Sequence, residues 1–411
     1  MHIVMVSDRF SPEINTQSVR ISELSKYWVA AGHRVSIVTT FPNQPFGVLY
    51  EGYRKKPYSR ETINGLEILR VWSYFSPRKD KLHKALFHLS FMFSAIVLPF
   101  FLLKKVDIVI GTSPWPSNAY IAKILAAWKR VPFVFEVRDL WPEVIAVVGA
   151  LKVDSLPMRL MRKWVGSWYK KATLIVTVTD GFVDEIVKTY GICRSKLAVI
   201  KNGADVMTIK PFVCDKLALK AQYQVPQDCF IISYLGTMGK AQGLQVIPQV
   251  AAELKDHKIH FLLIGDGTER TLLEQQSKTL GLSNISFMAP VPRAQALELL
   301  ALSDVSLVHL MSSPFFDTTI PSKLFEAMAM AKPILLGVSG EAAKVVDEAC
   351  CGISFVPGSV KDLKNAILKL MALSSPELHA IGQNGRSTVE KTYNRVDLAH
   401  AYAEYLQKAL L

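Results

Sequence analysis

A short segment in the second half of the chain combines a helix-starting proline with groups that could hold a diphosphate. It reads IPSKLFEAMA over 320–329. Proline favours the first turn of a helix, so a helix that begins here presents free N–H groups and the positive end of its dipole. Ser322 adds a hydroxyl donor and Lys323 a positive charge, while Glu326 lies one turn deeper on the face of Ser322. The pattern predicts a site for the diphosphate and ribose of a nucleotide; an ordinary capped helix with a surface Lys and Glu would look the same.

A second polar segment, RDLWPE, directly follows an apolar stretch in the first half of the chain. If that stretch is a parallel strand, Arg138 and Asp139 lie at its carboxyl end, where open α/β sheets bind ligands. We predict that Asp139 orients a bound substrate and that Arg138 pairs with a phosphate or with Glu143. The alternative is a structural Arg–Asp pair that caps the following helix.

The elements that must position these residues alternate between short apolar runs and longer helical patterns. This alternation is typical of parallel sheets covered by helices, and it occurs as two separate series. The predicted strands are Ile3–Val6, Val35–Thr39, Ile68–Val71, Ile108–Gly111, Phe133–Val137 and Leu174–Val178, then Phe230–Leu235, His260–Ile264, Ile285–Phe287, Val305–His309, Pro333–Leu336 and Gly352–Val356. A predicted helix over Ser18–Ala31 ends at Gly32. The fold class is therefore α/β, with two Rossmann-like, doubly wound lobes facing a central cleft.

The domain boundaries follow from a turn-rich segment near Lys201–Pro211. We expect a first lobe over 1–203, a second lobe over 204–385, and a helical segment over 386–411 that crosses back to the first lobe. A chain of 411 residues, half of them apolar, is consistent with two domains.

Charge is distributed unevenly between the two halves. Residues 1–200 contain 28 Lys and Arg against 15 Asp and Glu, whereas 201–411 contain 20 of each, so the net charge of +13 belongs to the first half. Such asymmetry indicates that one lobe faces a polyanion, either nucleic acid or an anionic membrane. The five cysteines show neither disulfide nor zinc spacing, which favours a reducing cytoplasm.

The most apolar window, Leu89–Leu103, is fifteen residues without a charge, shorter than the roughly 20 that a spanning helix needs. A helix lying in the headgroup layer of a membrane would combine this window with the basic residues before it; a buried core helix is the alternative. The residues that we expect at the membrane are Arg78, Lys79, Lys81, Lys84, Leu86, Phe87, Phe91, Phe93 and Phe100. The N-terminus, MHIVMV, is predicted to be a first strand and not a signal peptide.

Several segments together resemble one enzyme family. IPSKLFEAMAMAKPIL and LLIGDGTER are similar to the donor-binding motifs of the family 4 glycosyltransferases, which have the GT-B fold, and KNGAD and AGHRV resemble two further motifs in the family order. FEVRDLWPE, FPNQPFGVLYEGYR and YLGTMGKAQGL look like the bacterial N-acetylfucosaminyl and related transferases of O-antigen and capsule assembly. The resemblance covers nearly the whole chain.

The resemblance implies a retaining glycosyltransferase that needs no metal or other cofactor. Its donor would be a nucleotide sugar, usually UDP-linked and here an N-acetylated deoxyhexosamine, and its acceptor an undecaprenyl-diphosphate-linked saccharide. The enzyme would be cytoplasmic and peripheral on the inner face of the plasma membrane. The implied donor-binding residues are Ser322, Lys323, Leu324, Lys240, Gly236, Thr237, Gln242, Asn15, Thr16 and Asp317, and the implied catalytic residues are Asp139, Glu326 and Arg138.

This chain departs from the family pattern at several positions. The first member of the usual acidic pair falls on Thr318, with Asp317 as a neighbouring substitute, and the usual Arg and Lys that clamp the diphosphate fall on Thr237 and Gln242. The family's glycines are also missing after the first strand. Asn15 and Thr16 are expected to take their place, because Asn tolerates left-handed backbone geometry, and Arg20 on the next helix is expected to reach the phosphates or the acceptor.

Other classes of function are less consistent with the sequence. It contains no GxGxxG after the first strand, no GxxxxGK[ST] and no DxD, which argues against a dinucleotide dehydrogenase, a P-loop enzyme and a metal-bridged diphosphate. A UDP-sugar epimerase of the same shape and a non-catalytic, membrane-bound subunit that binds sugar nucleotides stay open as alternatives. A nucleic-acid partner is not expected, because the aromatic residues cluster in apolar runs and do not alternate with Arg and Lys.

Overall fold

The computed structural model describes residues 1–44, 46–78, 80–147, 149 and 151–411, without the side chain of Lys81. The chain forms two compact units, one made of 1–201 with 395–411 and the other of 202–394. The strands are β1 (His2–Val6), β2 (Arg34–Thr40), β3 (Tyr58–Ile63), β4 (Leu66–Val71), β5 (Ile108–Thr112), β6 (Phe133–Val137), β7 (Leu174–Thr177), β8 (Leu197–Val199), β9 (Phe230–Leu235), β10 (Ile259–Ile264), β11 (Ile285–Met288), β12 (Val305–His309), β13 (Ile334–Gly337) and β14 (Gly352–Ser354).

The helices connect these strands, and short 3-10 turns supplement them. The helices are α1 (Thr16–Ala30), α2 (Lys81–Leu102), α3 (Pro116–Lys129), α4 (Glu143–Val147), α5 (Leu156–Lys171), α6 (Asp180–Tyr190), α7 (Lys216–Gln222), α8 (Val246–Glu253), α9 (Arg270–Thr279), α10 (Arg293–Leu302), α11 (Ser322–Ala329), α12 (Glu341–Glu348), α13 (Val360–Met371), α14 (Ser375–Thr392) and α15 (Arg395–Lys408). The 3-10 turns are Arg194–Lys196, Lys240–Gln242 and Phe316–Thr318.

The first unit contains an eight-stranded sheet in the order β3-β4-β2-β1-β5-β6-β7-β8. Its pairings are parallel except for β3 with β4, and β1, β5 and β6 are buried throughout because helices cover both faces. The strand order reverses between β1 and β5. Ligands of open α/β sheets bind at the carboxyl ends of the strands at such a reversal.

The second unit contains a six-stranded parallel sheet in the order β11-β10-β9-β12-β13-β14. Here the order reverses between β9 and β12, which pair at Ile232 with Val305 and at Ser233 with Ser306. The loops after these two strands therefore define the expected binding edge of this sheet. The predicted α/β class with two doubly wound lobes is confirmed.

Helix α15 belongs to the first unit, although it follows the second along the chain. The Trp28 indole N–H on α1 donates to the Ala399 carbonyl oxygen at 2.9 Å, and the Trp28 and Tyr402 rings meet edge to face with centroids 5.2 Å apart. The Arg395 guanidinium pairs with the Glu23 carboxylate at 2.9 Å, and both side chains are buried. These contacts fix the end of the chain on α1.

The second unit extends to Asn394, beyond the boundary expected at 385. Helix α14 runs without interruption from Ser375 to Thr392, and two of its glycines lie against the second unit. A Cβ on Gly382 would lie 2.0 Å from the Ala331 carbonyl oxygen, so the two backbones touch there. The whole of α14 is therefore held by the second unit, and the chain returns to the first unit only after this helix, at Arg395.

Helix α2 is longer than the apolar window on which the sequence analysis depended. It spans 22 residues, because Asp80 caps its N-terminus by accepting from the His83 N–H at 3.0 Å and the helix then includes polar residues before the window. By length and composition alone, Leu82–Leu102 is long and apolar enough to cross a membrane. The helix is therefore longer than the fifteen-residue window Leu89–Leu103 from which its length was judged.

Candidate active site

Helix α11 begins at Ser322, with Pro321 as the residue before its first turn and no side-chain cap. The first N–H groups of a helix have no partner within the helix, so those of Ser322 and Lys323 are available to an anion. Leu324 is buried, and its N–H donates to the Pro321 carbonyl oxygen at 3.1 Å. Leu324, expected to contact the donor, therefore packs in the core.

The Lys323 ammonium lies over an aromatic ring at the end of β9. Its Nζ is 3.7 Å from the centroid of the Tyr234 ring. A Cβ on Gly236 would lie 3.0 Å from the same Nζ, so the absence of a side chain at this position makes room for the cation. Burial lowers the pKa of Lys323 to about 7, and the negative charge of Glu326 opposes this shift. The cation thus sits at the reversal of strand order, poorly solvated and next to a carboxylate.

Two glycine-containing loops touch each other beside this cation. The Gly236 N–H donates to the Ile264 carbonyl oxygen at 2.9 Å, and the Met238 N–H donates to the Asp266 carbonyl oxygen at 2.9 Å. Gly265 has a φ of +143°, and a Cβ on it would lie 1.9 Å from the Gly236 carbonyl oxygen. Only glycine fits such an approach. The GDG sequence thus positions the loop that carries Gly236.

The two positions that lack the family's clamp cations lie on the loop after β9. Thr237 is exposed, and its carbonyl oxygen accepts from the Tyr234 hydroxyl at 2.5 Å. The Gln242 side chain is turned back onto its own 3-10 turn, where its Oε1 accepts from the Gly239 N–H at 3.0 Å. Lys240 is exposed on that turn. Among Thr237, Lys240 and Gln242, only Lys240 brings a charge.

The two residues at the altered acidic position lie together in the 3-10 turn before α11. Asp317 and Thr318 are both half-buried. The Thr318 hydroxyl donates to the Phe315 carbonyl oxygen at 2.9 Å, so its hydrogen is used within the turn. Gly340, with a φ of +69°, touches this turn, because a Cβ on it would lie 2.0 Å from the Asp317 carbonyl oxygen. Asp317 thus supplies the carboxylate of this turn.

His309 at the end of β12 is a positioning residue that the sequence analysis missed. Its Nδ1 lies 2.7 Å from the Gln242 carbonyl oxygen, and its Nε2 accepts from the Gly358 N–H at 3.2 Å. The first contact requires hydrogen on Nδ1 and the second a lone pair on Nε2, which defines one neutral tautomer. Burial lowers the pKa of His309 and favours the same neutral form. The sequence offered one signal for this role, since His309 is a polar residue at the end of an apolar run that forms a buried strand.

A cavity of about 490 Å³ in the second unit lies beside the site and does not include it. It is lined at the ends of β13 and β14 by residues such as Ser339, Ser354, Asp362 and Lys369. Neither Ser322 nor Lys323 lines it. The expected phosphate position at Ser322 and Lys323 therefore lies outside this cavity.

The reversal of strand order in the first unit holds a buried polar cluster around Asp8. The Asp8 carboxylate follows β1 and accepts from the Asn118 side-chain amide at 2.8 Å and from the Gln17 amide at 3.1 Å. All three side chains are buried. The sequence analysis named none of them, although an acidic residue directly after the first strand was a usable signal.

Arg138 and Asp139 lie at the carboxyl end of β6, as predicted. Their backbone N–H groups both donate to the Ser113 hydroxyl, at 2.7 Å and 3.1 Å. The Nε and Nη1 atoms of Arg138 are buried and have no hydrogen-bond partner in the described part of the chain. Burial lowers the pKa of Arg138, and nearby Glu136 opposes this shift; burial raises the pKa of Asp139, and Arg138 opposes it. A buried donor pair without acceptors is thus available to a ligand.

The predicted pairing of Arg138 with Glu143 is wrong. The Glu143 Oε1 atom instead accepts from the Arg162 Nε at 3.2 Å and from the Tyr190 hydroxyl at 3.0 Å. Arg162 lies on α5 and Tyr190 on α6, and together they hold the Glu143 carboxylate. This leaves the phosphate as the predicted partner of Arg138.

The residues expected to bind phosphates in the loop after β1 have structural contacts. The Asn15 side chain caps α1 by accepting from the Ser18 N–H at 3.0 Å, and Thr16 is exposed. Arg20 is 1 % exposed and donates to the Glu136 carboxylate at 3.1 Å, as well as to the carbonyl oxygens of Ile200 and Lys201. The expectation that Arg20 reaches phosphates or the acceptor is wrong, because its donors are used inside the core.

The residues expected at the membrane divide between two sides of α2. Phe91 is fully buried, which contradicts its predicted role, whereas Phe93 is 70 % exposed. Lys84 is exposed and Phe87 is half-buried, with its ring edge to face against His88. Four exposed apolar residues of this helix form a stripe, Leu82, Leu86, Leu89 and Phe93, and Phe101 is exposed near the end of the helix. Lys79 and the side chain of Lys81 lie outside the described residues.

The described residues contain no group of three or more His, Cys, Asp or Glu side chains that could hold a metal ion. The expectation of a metal-independent reaction stays a prediction.

Comparison with known proteins gives consistent matches over both units. Residues 15–203 match the family described as Glycosyl transferase 4-like domain, and residues 215–388 match the family described as Glycosyl transferases group 1. WcaI of Escherichia coli K12, a glycosyl transferase named for colanic acid biosynthesis, is 25 % identical over 391 residues, covering 91 % of this chain and 93 % of WcaI.

Solved structures of the same architecture align with the whole chain. Sucrose-phosphate synthase of Thermosynechococcus elongatus gives a TM-score of 0.77 at 16 % identity, covering 99 % of this chain and 98 % of the other. HepE of Anabaena, in complex with UDP and glucose, gives a TM-score of 0.75 at 16 % identity, covering 98 % and 99 %. At this identity the structural likeness establishes the shared fold.

Proposed function

We propose that this chain, which belongs to the family 4 glycosyltransferases with the GT-B fold, transfers a sugar from a UDP-linked donor to a lipid-diphosphate-linked saccharide at a membrane surface. The transferred sugar is an N-acetylated deoxyhexosamine, and the product belongs to a surface polysaccharide. The relative named for colanic acid biosynthesis supports a role in polysaccharide biosynthesis, and the transferred sugar is proposed from the sequence resemblance.

The proposal depends on one observation, the poorly solvated Lys323 cation at the start of α11. Burial removes water from this ammonium, and the negative charge of a diphosphate would stabilise its charged form. The N–H groups of the first helical turn add hydrogen-bond donors. Glu326, one turn deeper, accepts from the ribose hydroxyls. Gly236 lets the phosphates approach the loop after β9. HepE, solved with UDP and glucose, has the same fold and supports a nucleotide-sugar donor.

The chemistry follows from where charge develops. As the bond between the sugar and the diphosphate breaks, negative charge grows on the phosphate oxygens, and Lys323 and the helix dipole stabilise it without a metal ion. An oxygen of the departing phosphate takes the proton of the acceptor hydroxyl on the same face of the sugar. The configuration at the anomeric carbon is therefore retained, and no separate protein base is needed.

The first unit contributes Arg138 and Asp139 to the reacting sugars. The free donors of Arg138 bind a phosphate or sugar oxygen, and the Asp139 carboxylate orients a sugar hydroxyl. Asn15, Thr16, Lys240 and Asp317 are assigned to the surroundings of the donor, with Asp317 in the position of the missing carboxylate at Thr318.

The acceptor is a polyprenyl-diphosphate-linked saccharide on the inner face of the plasma membrane. The exposed apolar stripe of α2 supports peripheral contact with lipid. The excess of positive charge in residues 1–200 supports the same partner.

The test is product analysis with a panel of UDP-sugars and a short lipid-diphosphate saccharide. Mass spectrometry should detect one added sugar, and Asp139→Asn and Glu326→Ala should each reduce turnover at least a hundredfold in a folded protein. Epimerised UDP-sugar without transfer, or UDP binding without any product, would contradict the proposal. A thermal-shift comparison of UDP, GDP and ADP tests the nucleotide separately, because a selective ligand raises the apparent stability.

A further inference from the structure

Helix α5 carries an exposed apolar stripe that the sequence analysis did not identify. Leu156, Leu160 and Trp164 are 67 %, 56 % and 71 % exposed. Their spacing of four residues places them on one line along the helix. Met158 and Val165, on the opposite side of the helix, are buried in the first unit. The helix is therefore apolar on two sides, and the described chain covers only one of them.

Positive charge borders this stripe. Arg159 and Lys163 follow Leu156 and Leu160 by three residues and are exposed, so each lies beside the stripe one turn further on. Lys152, Lys170 and Lys171 are exposed at the two ends. Asp154 is the one acidic residue over 151–171. The surface thus combines exposed aromatic and aliphatic groups with a nearly unopposed set of cations.

The stripe lies on the same side of the sheet as the exposed stripe of α2. Helix α3 packs against both α2 and α5 and so lies between them. Neighbouring helices pack about 8–10 Å apart, so the two stripes are separated by roughly 20 Å. Each helix leads from the end of one strand back to the next parallel strand, so both begin at the carboxyl edge of the sheet. Two similar stripes therefore run in the same direction on one side of the first unit.

We propose that α5 is a second lipid-binding element, with the Leu156, Leu160 and Trp164 stripe in the headgroup layer of an anionic membrane and the neighbouring Arg and Lys side chains on lipid phosphates. Tryptophan is favoured at membrane interfaces, and each basic residue near an anionic surface strengthens binding several-fold. The inference rests on the proposed membrane contact of the first unit and adds a second point of attachment to it.

Charge favours lipid over a second copy of the chain. A symmetric dimer through this face would place the basic residues of one copy opposite those of the other. Like charges that meet at an interface oppose association, and the cores of protein interfaces are depleted in lysine. An anionic membrane instead supplies a negative surface for all of these cations.

The experiment measures co-sedimentation of the full chain with vesicles. Vesicles of phosphatidylcholine with about one third phosphatidylglycerol are compared with phosphatidylcholine alone. The test variant is Leu160→Ser with Trp164→Ser, the α2 variant is Phe93→Ser, and the control is Val356→Ser, an exposed apolar residue of the second unit. Circular dichroism melting should show that all of them are folded, because the changed side chains are exposed.

We expect the α5 variant to bind anionic vesicles at least tenfold more weakly than the original chain. The same loss is expected when the α5 changes are combined with Phe93→Ser. The control Val356→Ser should bind as the original chain does. Lys163→Glu with Lys170→Glu should weaken binding to anionic vesicles selectively. Unchanged binding of the α5 variant, with loss in Phe93→Ser, would overturn the role of α5 and keep the α2 contact. Absence of binding by the original chain would overturn both. A dimer in solution that Trp164→Ser dissociates would replace lipid by a second copy.

Discussion

The ammonium nitrogen of Lys323 lies 3.7 Å above the centroid of the Tyr234 ring. The ring face attracts a cation, but it cannot replace the water that burial removes. The charged form of Lys323 is therefore poorly stabilised until an anion binds beside it. This relationship leads directly to a measurable pH dependence.

UDP binding should weaken as the pH rises above 7. The free protein holds Lys323 with a pKa of about 7, so the ammonium is mostly charged below that pH and mostly neutral at pH 8.5. A bound diphosphate favours the charged form, so binding takes up a proton, and the Kd should rise about tenfold per pH unit above 7.5. Calorimetry in two buffers of different ionisation enthalpy measures both effects. Lys323→Arg, which stays charged, should bind with a flat profile, and an equal Kd at pH 7 and pH 9 in the original chain would contradict the assignment.

Arg138→Met should remove activity without unfolding the protein. Two of the buried guanidinium nitrogens have no hydrogen bond to lose, so the free energy of unfolding should change by less than about 1 kcal/mol. Turnover should fall at least a hundredfold, because the ligand loses its charged donors.

The matched control is Arg20→Met, a buried arginine in the same unit. It leaves the Glu136 carboxylate buried without its ion partner, which costs about 3–5 kcal/mol. Denaturant unfolding distinguishes the two variants. Equal destabilisation by both would show that Arg138 is structural.

Gly265→Ala should disrupt the loop beside Lys323. The new Cβ would lie 1.9 Å from the Gly236 carbonyl oxygen, so the two loops must separate, and we expect a loss of more than about 3 kcal/mol together with loss of UDP binding. Gly281→Ala is the control, because Gly281 also has a positive φ, of +63°, but no atom within 4 Å of the new Cβ. It should cost about 1 kcal/mol and leave UDP binding intact. Thermal unfolding with and without UDP measures both quantities.

Removal of divalent metal should leave the transfer rate unchanged. Lys323 and the helix dipole are assigned the neutralising role, so an excess of EDTA should not slow the reaction in a product assay. Activity that EDTA abolishes and Mg²⁺ or Mn²⁺ restores would require a metal in the mechanism.

Much of the fold could be predicted because buried parallel strands are continuous apolar runs. The strands around both reversals of strand order, such as Ile108–Thr112 and Phe230–Leu235, appear in the sequence as such runs. Strand β3 could not be recognised in this way: Tyr58–Ile63 is an antiparallel edge strand, and its sequence YSRETI alternates between exposed and half-buried positions. Its pairing with β4 places it in the sheet.

The candidate site was predictable where local sequence alone determines geometry. The start of α11 follows from a proline, and the position of Asp139 from the end of a strand. The failure at Arg20 has a different cause, since its partner Glu136 is 116 residues away and no local pattern shows that the two face each other. Phe91 and Phe93 are similar: they are two residues apart on one helix, and only packing reveals that the first points inward.

The crossing of α15 to the first unit determines the order in which the chain can fold. Residues 202–394 are contiguous, so the second unit needs no later part of the chain to form its own contacts. The first unit emerges earlier but lacks the tail that covers Trp28 and pairs with Glu23 until the last helix is made. Domains usually fold in order from the N-terminus, but here the first unit cannot complete its contacts until the whole of the second unit has been synthesised. A nascent chain arrested shortly before Arg395 would therefore expose the uncovered side of α1 to chaperones.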